Sequence, residues 1–390
     1  VVQLTATQAS ALIDEPVHIQ DTESLEDEKG NLFHSQANYR ANEVGEQAPF
    51  LGGYYVGVYP MSLLWSLKPE KILIRLLKRD VMNSPLQIQL KLYNSDGMVT
   101  HVAITTPNRW CVAPGVTRIL FIEGCLQGAC FLPPVISQGY FPGIIDWFGG
   151  IGGLIEFQAS LLASHSLGAM ALAYYNYEDL PFREAVNFVL RHPKVLGGKH
   201  WGSLHMKGAE IGFSMAIHLK EVIATVLINE PSFTLDIPQI YHDQINQPLP
   251  FSPSLLSVSA LGLHIFEETR AEASETSFLP IEKTQGHFLF IVGEEDKNVS
   301  RESLCSASTE HLKRRGRNNW TLLSYFGVGH LIQPPPSPKP NALPPGSLIS
   351  TSPCTEEEIP FPTHSRHEHS WKEIQRFLRK HLIPVVTSHL

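Results

Sequence analysis

Residues 199–220, KHWGSLHMKGAEIGFSMAIHLK, decide how the second half of this chain folds. The run WGSLHM predicts a short buried strand, and KGAEIGFSMAIHLK predicts a helix. A sharp turn at Met206 must join the two. In one large class of enzymes, a strand–turn–helix of this kind exposes the nucleophile at the tip of the turn. The stretch therefore predicts an α/β architecture and makes the identity of residue 206 the main question.

The neighbouring segments repeat the alternation of strands and helices. Buried strands are predicted for five apolar runs: FPGIIDWF (141–148), AMALAYYN (169–176), IATVLIN (223–229), HFLFIVG (287–293) and WTLLSYF (320–326). Helical patterns lie between most of them. Because such alternation gives a parallel sheet covered on both faces, we predict an α/β domain over residues 131–390.

The first third of the chain has a different rhythm. Segments such as VVQLTAT (1–7), PVHIQ (16–20), LQIQLKLYN (86–94) and THVAITT (100–106) alternate apolar and polar residues, as half-buried strands do. We therefore predict an antiparallel β-sandwich domain over residues 1–130. One exception is PEKILIRLLKRDV (69–81), whose Ile and Leu spacing predicts an amphipathic helix.

The composition excludes several classes of protein. The 390 residues are 43% hydrophobic and 17% charged, with a formal net charge of -8, and no basic cluster of the kind that binds nucleic acid is present. No apolar run of about eighteen residues predicts a membrane span. The five cysteines include no CxxC pair, so neither a zinc site nor a disulfide framework is predicted. We expect no metal and no cofactor.

The last three residues match the pattern of a known targeting signal. Ser388-His389-Leu390 fits the small–basic–Leu pattern of a C-terminal peroxisomal address. The alternative is a chance tripeptide on a polar tail. We therefore predict a peroxisomal location, a cytosolic one, or both, with a peroxisomal import receptor as the partner of this tripeptide.

Three further features follow predicted strands in a catalytic order. Asp296 comes just after HFLFIVG, His330 follows WTLLSYF, and the Gly-rich loop 148–153 follows FPGIIDWF. In α/β-hydrolases a triad acid, a triad base and oxyanion-hole amides occupy these positions. Taken singly, each has a simpler interpretation as a loop acid, a loop histidine or a tight turn. Their order and spacing together favour the hydrolase layout.

Long segments of the chain also resemble one known family. These segments include SLEDEKGNLFHSQANYRANE (24–43), FGGIGGLIEFQASLLA (148–163), NNWTLLSYFGVGHLIQPP (318–335) and WKEIQRFLRKHLIP (371–384). They are similar to the family of bile acid-CoA:amino acid N-acyltransferases and acyl-CoA thioesterases. The resemblance implies a β-sandwich followed by an α/β-hydrolase domain. It also implies transfer of an acyl group from a coenzyme A thioester, as substrate, to water or to the amine of glycine or taurine.

The same resemblance assigns roles to individual residues. It places the triad acid at Asp296, the base at His330, and the oxyanion-hole amides at Lys207, Phe148, Gly149 and Gly150. The nucleophile, Ser or Cys in the family, falls on Met206, because the flanking segment GAEIGFSMAIHLK fixes the register. The nucleophile is thus replaced by a thioether.

Nothing nearby replaces the missing nucleophile in the sequence. The resemblance implies that Ser203 is buried below the turn and that His205 faces away from the acyl pocket, while Cys305 and Cys354 lie far along the chain. The first domain and the loop before residue 182 are also shorter than in the family. Three interpretations stay open: an acyl-CoA enzyme with impaired covalent catalysis, an inactive acyl-CoA-binding paralogue, and a decayed gene product.

Overall fold

The structure, a computed structural model, describes most of the chain outside several loops and the termini. The described residues are 10–14, 22–41, 47–53, 64, 67–70, 76, 78–93, 101–134, 141–148, 153–173, 182–205, 207–229, 239–241, 244–246, 248, 256–259, 262–265, 279–294, 296, 306–326, 328–330, 332–334 and 362–383. The predicted strands at 1–7 and 16–20, residues 335–361 and the C-terminal tripeptide lie outside them.

A mostly antiparallel sheet forms the first unit. The described residues of this unit form the strands β1 (Ser10–Leu12), β2 (Thr22–Glu26), β3 (Leu32–Ser35), β4 (Ala37–Ala41), β5 (Gln47–Gly53), β6 (Lys68–Pro69), β7 (Leu86–Tyr93), β8 (His101–Thr105) and β9 (Asn108–Trp110). Seven of them join in the order β1-β9-β7-β2-β3-β6, with β8 also paired to β7, and β4 and β5 form a separate hairpin. The β1–β9 pair is parallel. The alternating patterns at 86–94 and 100–106 thus do form strands.

The helix predicted for residues 69–81 is wrong wherever the structure describes this segment. Pro69 lies in β6, opposite Phe33, and residues 78–80 adopt no regular element. The Glu28 carboxylate accepts hydrogen bonds from the backbone N–H groups of Arg79 at 2.9 Å and Asp80 at 3.1 Å. A side chain distant in sequence thus satisfies two amides of this segment, and such tertiary contacts override helical propensity.

A mixed eight-stranded sheet forms the second unit. Its strands are β10 (Thr117–Glu123), β11 (Leu126–Leu132), β12 (Phe141–Phe148), β13 (Ala169–Ala173), β14 (Val195–His205), β15 (Val222–Ile228), β20 (His287–Gly293) and β21 (Trp320–Tyr325). Their order is β10-β11-β13-β12-β14-β15-β20-β21. All neighbours from β13 to β21 are parallel. The predicted parallel sheet is therefore present.

Two small hairpins fall within the segment between β15 and β20. They are formed by β16 (Gln239–Tyr241) with β17 (Gln244–Asn246) and by β18 (Leu256–Ser259) with β19 (Gly262–Ile265). A short 3-10 helix, Ile281–Lys283, leads from this segment into β20.

The boundary between the two units lies earlier than residue 130. The strands β10 and β11 pair with each other, and β11 pairs antiparallel with β13, from Gln127 opposite Ala173 to Phe131 opposite Ala169. Residues 117–132 therefore belong to the second sheet. Their alternating pattern correctly indicates strands, but such a pattern does not encode which sheet a strand joins.

Among the described residues, five helices cover the second sheet. They are α1 (Phe157–Ser164), α2 (Phe182–Arg191), α3 (Lys207–His218), α4 (Ser306–Arg314) and α5 (Pro362–Leu382). One core contains α1 and α5 together with first-unit residues such as Phe33 and Ile88. The other contains α2, α3 and α4, with Phe213 packed edge-on against Phe288. The first unit is therefore joined to the second through the α1–α5 face.

Candidate active site

The strand–turn–helix predicted at residues 199–220 is present on both sides of residue 206. Strand β14 ends at His205 and α3 begins at Lys207, so one residue connects them. His205 pairs with Phe148 of β12 on one side and Ile228 of β15 on the other. The junction therefore lies at the carboxyl edge of the sheet, where ligands bind in open α/β sheets. Met206 itself lies outside the described residues.

The junction coincides with a reversal in strand order. From β12 the chain passes to β13 on one side and then to β14 on the other. Because the connections leave β12 in opposite directions, the carboxyl ends of β12 and β14 form a topological switch point, the place where ligands bind in open α/β sheets. Both ends carry residues assigned to the site by the sequence.

The structure brings Asp296 and His330 together. The Nδ1–H of His330 donates to Oδ2 of Asp296 over 2.6 Å, and the two side chains are 2% and 0% exposed. A carboxylate on Nδ1 leaves Nε2 as the basic nitrogen of the neutral ring. Nε2 of His330 is buried and has no hydrogen-bond partner among the described residues. The pair therefore has the arrangement of a general base whose substrate-side nitrogen is unoccupied.

The backbone around this pair is packed unusually tightly. Gly293 ends β20, and a Cβ there would lie 2.4 Å from the carbonyl oxygens of both Val328 and Gly329. The loop that carries His330 therefore rests directly on the strand end that leads to Asp296. The role of Gly293 was not predicted from the sequence, because the close approach joins segments more than thirty residues apart.

Sequence analysis also missed Asn229, the residue after β15. Its side chain is fully buried and bonds to backbone groups on both sides of the Asp296–His330 pair. The only available signal was a polar residue at the end of an apolar strand, and many loop residues share that feature.

The predicted oxyanion-hole residues are placed at one edge but only partly described. Phe148 is the last residue of β12 and pairs with His205, and Lys207 is the first residue of α3. The first N–H groups of a helix have no partner within it and point towards its N-terminal end. Gly149 and Gly150 lie outside the described residues.

A second buried carboxyl group lies below this edge. Asp146 of β12 pairs in register with Ala171 and with Ser203 of β14, and its side chain is 1% exposed. Burial raises its pKa to about 8, with the backbone N–H of Ala159 partly opposing the shift. Neither carboxylate oxygen makes a hydrogen bond of normal geometry to a described residue. Asp146 is therefore neutral at pH 7 in the folded protein.

None of the three described cysteines is suited to act as a nucleophile at this junction. Burial raises the pKa of the Cys111 and Cys130 thiols to about 12, so neither forms a thiolate at neutral pH. Cys125 is exposed in the turn between β10 and β11. Since β11 is three strand positions from β14, the spacing of strands separates Cys125 from the junction by at least about 14 Å. Cys305 and Cys354 lie outside the described residues.

A metal site requires a group of ligating side chains, and a membrane span requires a long apolar helix. No group of three or more His, Cys, Asp or Glu side chains there could hold a metal ion. None of the described helices is long and apolar enough to cross a membrane.

Comparison with known families matches both halves of the chain. The model described as "Acyl-CoA thioester hydrolase/BAAT N-terminal region" matches residues 14–121. The model described as "BAAT / Acyl-CoA thioester hydrolase C terminal" matches residues 180–384, more than half of the chain.

Individual relatives agree with these matches. The bile acid-CoA:amino acid N-acyltransferase of Homo sapiens is 54% identical over 429 aligned positions that cover 100% of both chains. Acyl-coenzyme A amino acid N-acyltransferase 1 of Mus musculus is 43% identical, covering 98% of each chain. The mitochondrial acyl-coenzyme A thioesterase 2 of Homo sapiens is 37% identical, covering 92% of this chain and 77% of its own.

These similarities identify the family. The chain belongs to the family of bile acid-CoA:amino acid N-acyltransferases and acyl-CoA thioester hydrolases, and its second unit is an α/β-hydrolase domain. Among solved structures, an esterase of Thermogutta terrifontis is 14% identical with a TM-score of 0.43, covering 70% of this chain and 95% of its own. That similarity is too low to support an argument about function.

Proposed function

We propose that this protein binds coenzyme A thioesters of bile acids or fatty acids, and that its covalent transfer of the acyl group is impaired. The proposal rests on one juxtaposition. A buried Asp296–His330 pair with an unoccupied Nε2 accompanies a strand–helix junction at which the connecting residue is Met206.

The covalent route requires a proton that Met206 lacks. A Ser or Cys would give its proton to Nε2 of His330 while its oxygen or sulfur attacks the thioester carbonyl. The carbon–sulfur bond to coenzyme A would then break, and coenzyme A would leave with that proton. A thioether has no proton to give, and its acylated product would be an unstable sulfonium. Loss of a triad nucleophile lowers turnover about a million-fold in a serine protease.

A slower route remains chemically available. Nε2 of His330 would take a proton from water while the water oxygen attacks the thioester carbonyl, and the leaving coenzyme A thiolate would take that proton back. The developing oxyanion would be stabilised by the backbone amides of Lys207 and of residues 148–150. This route gives residual hydrolysis only.

The named relatives support the choice of substrates. One relative acts on bile acid-CoA and an amino acid, and another is an acyl-coenzyme A thioesterase. We therefore propose bile acyl or fatty acyl groups, with glycine, taurine or water as acceptor. Lys207 lies at the start of α3, where its positive charge and the helix N-terminus would both attract an anionic group of the ligand. A bile-acid side chain or a coenzyme A phosphate would be such a group. The simpler interpretation of Lys207 is a solvated lysine in the first turn.

The second candidate is an acyl-CoA-binding protein without turnover. It is favoured by the same residue. Met206 in place of the nucleophile would abolish covalent attack on the thioester, while the sheet edge that would hold the ligand would remain. The two candidates differ in turnover but not in binding.

Coenzyme A release tests the proposal. Native protein and the Met206→Cys variant would be incubated with choloyl-CoA and palmitoyl-CoA, with and without glycine or taurine. We expect conjugation by the variant and at most slow hydrolysis by the native chain. Native turnover close to that of the variant would show that another group is the nucleophile. Binding by calorimetry without turnover in either protein would favour the second candidate.

We also propose a peroxisomal location, supported by Ser388-His389-Leu390. A fluorescent protein fused in front of the full chain should colocalise with peroxisomes and become cytosolic when these three residues are removed. A distribution unchanged by the removal would refute the address.

A further inference from the structure

Asn229 occupies the point where three strand ends of the site meet. It directly follows β15, its backbone adopts the left-handed region with φ 50°, and its side chain is 0% exposed. Its own N–H donates to the carbonyl of Ile291 in β20 at 2.9 Å. Because Ile228 pairs with His205, the residue also adjoins the strand that precedes residue 206.

The Asn229 side chain uses both ends of its amide. Nδ2 donates to the backbone carbonyls of His330 at 2.6 Å and Gly329 at 3.2 Å. Oδ1 accepts from the N–H of Gly293 at 2.7 Å. A residue with only a donor or only an acceptor cannot make this set of bonds.

These bonds reach both members of the Asp296–His330 pair. The carbonyl of Gly293 accepts from the N–H of Asp296 at 3.2 Å, so Asn229 is linked to the acid through one residue. The carbonyl of His330 is bonded directly. The segments carrying acid and base are therefore fixed to each other through one buried amide, as well as through their own 2.6 Å bond.

We propose that Asn229 is the positioning residue of this pair: it fixes the His330 backbone relative to β20, and so holds Nδ1 on Asp296 and Nε2 in one direction. The assignment of a catalytic purpose rests on the proposed function; the positioning itself does not. Asn229 does not touch substrate. It acts through His330.

The Asn229→Asp variant tests the proposal with little change of shape. It keeps the acceptor for Gly293 but replaces the donor with an oxygen that faces two carbonyls. The matched control is Thr225→Val, on β15, the strand that leads to Asn229. Thr225 is 1% exposed, and its hydroxyl has no hydrogen-bond partner among the described residues, so its removal should leave the pair undisturbed.

The first readout needs no turnover. The proton between Nδ1 of His330 and Asp296 should give a low-field proton NMR signal in the native chain, assigned by its absence in His330→Gln. We expect this signal to broaden or disappear in Asn229→Asp and to persist in Thr225→Val. If Asn229 merely stabilises the fold, Asn229→Asp should lower the midpoint of unfolding without moving this signal.

The second readout is the division between kcat and KM. In the Met206→Cys background, adding Asn229→Asp should lower kcat for coenzyme A release by about 100-fold, the cost of a misplaced catalytic group, with KM within about twofold. Thr225→Val should change neither.

The outcomes separate the two proposals. A folded Asn229→Asp protein with an unchanged low-field signal and kcat within twofold overturns the positioning role. If Asn229→Asp does not fold, the same measurements are made on Asn229→Ser and judged by the same criteria. If neither variant folds, the positioning role is also overturned. If Met206→Cys is inactive but the signal still depends on Asn229, the positioning stands and the proposed function fails.

Discussion

At the scale of single residues, Asp146 gives the site region a pH-dependent stability. Its pKa is about 8 in the folded protein because of burial, against about 3.9 for an unfolded Asp. Below the unfolded value both states are protonated. As the pH rises towards 8, the unfolded chain loses this proton while the folded chain keeps it, so stability falls by up to about 1.4 kcal/mol per pH unit.

The Asp146→Asn variant should remove this dependence. Because all other titrating groups are shared, the free energy of unfolding of the variant minus that of the native chain should rise by several kcal/mol between pH 4 and pH 8. Urea unfolding of both proteins at pH 5 and pH 7.5 measures the change. If the difference in free energy of unfolding between the two proteins is the same at pH 5 and pH 7.5, Asp146 is ionised in the folded state.

At the same scale, the sequence identifies some site residues and not others. Asp296 and His330 follow two apolar strands, and strands of a parallel sheet end at one edge, so their meeting is predictable. Asn229 and Gly293 are not, because their function depends on backbone atoms of residues 328–330. No local pattern records a close approach of that kind.

At the scale of elements, α5 fastens the α1–α5 face of the second sheet. Its apolar residues Trp371, Ile374, Phe377, Leu378 and Leu382 are buried. We expect Leu378→Ala to lower the free energy of unfolding by about 2–5 kcal/mol, the cost of a cavity at a fully buried leucine.

The matched control is Lys372→Ala on the same helix. The Lys372 side chain is 67% exposed and pairs with Glu368 one turn away. Such a pair is worth about 0.5 kcal/mol or less. Equal losses in the two variants, measured by urea unfolding, would contradict the packing assigned to α5.

Prediction of elements succeeds where packing and local pattern agree. The apolar runs of β12, β15 and β20 fold as expected, and the strand–helix junction of β14 and α3 is placed within a residue. The helix predicted for residues 69–81 is absent at residues 78–80, where Glu28 accepts hydrogen bonds from the amides of Arg79 and Asp80. Strands β10 and β11 are recognised as strands, but their assignment to a sheet requires the partner β13.

At the scale of the whole molecule, Asp14 links the first unit to both helices of the shared face. Its Oδ2 accepts from Nε2 of His165, after α1, and from Nε1 of Trp371 in α5, each at 2.7 Å. Arg379 of α5 also donates to the carbonyl of His165. The two units are thus joined by partly buried polar bonds as well as by a common apolar core.

Asp14→Ala should weaken this junction. The buried Trp371 N–H would lose its acceptor, which costs about 1–3 kcal/mol for a group left unsatisfied. The His165 ring is 27% exposed, so water can partly replace its lost bond. We expect a lower urea midpoint and faster proteolysis within the first unit. The control is Glu310→Ala, which breaks an exposed pair with Arg314. An Asp14→Ala protein as stable as this control would show that the apolar core alone holds the units together.

This chain is shorter than its alignment with a human relative. The alignment with the human N-acyltransferase spans 429 positions, 39 more than the 390 residues of this chain, so that relative has residues that this chain lacks. Within the described residues, the second sheet nevertheless has eight strands and the buried Asp296–His330 pair. The strand and the helix on either side of residue 206 are also present.

The central claim is that this site is complete except for its nucleophile, and the mass of the intact protein tests it directly. Native chain, Met206→Cys and the double variant Met206→Cys/His330→Ala would each be mixed with choloyl-CoA and measured by mass spectrometry. We predict a choloyl adduct on Met206→Cys and none on the other two. An adduct on the native chain, or none on Met206→Cys, would contradict the claim.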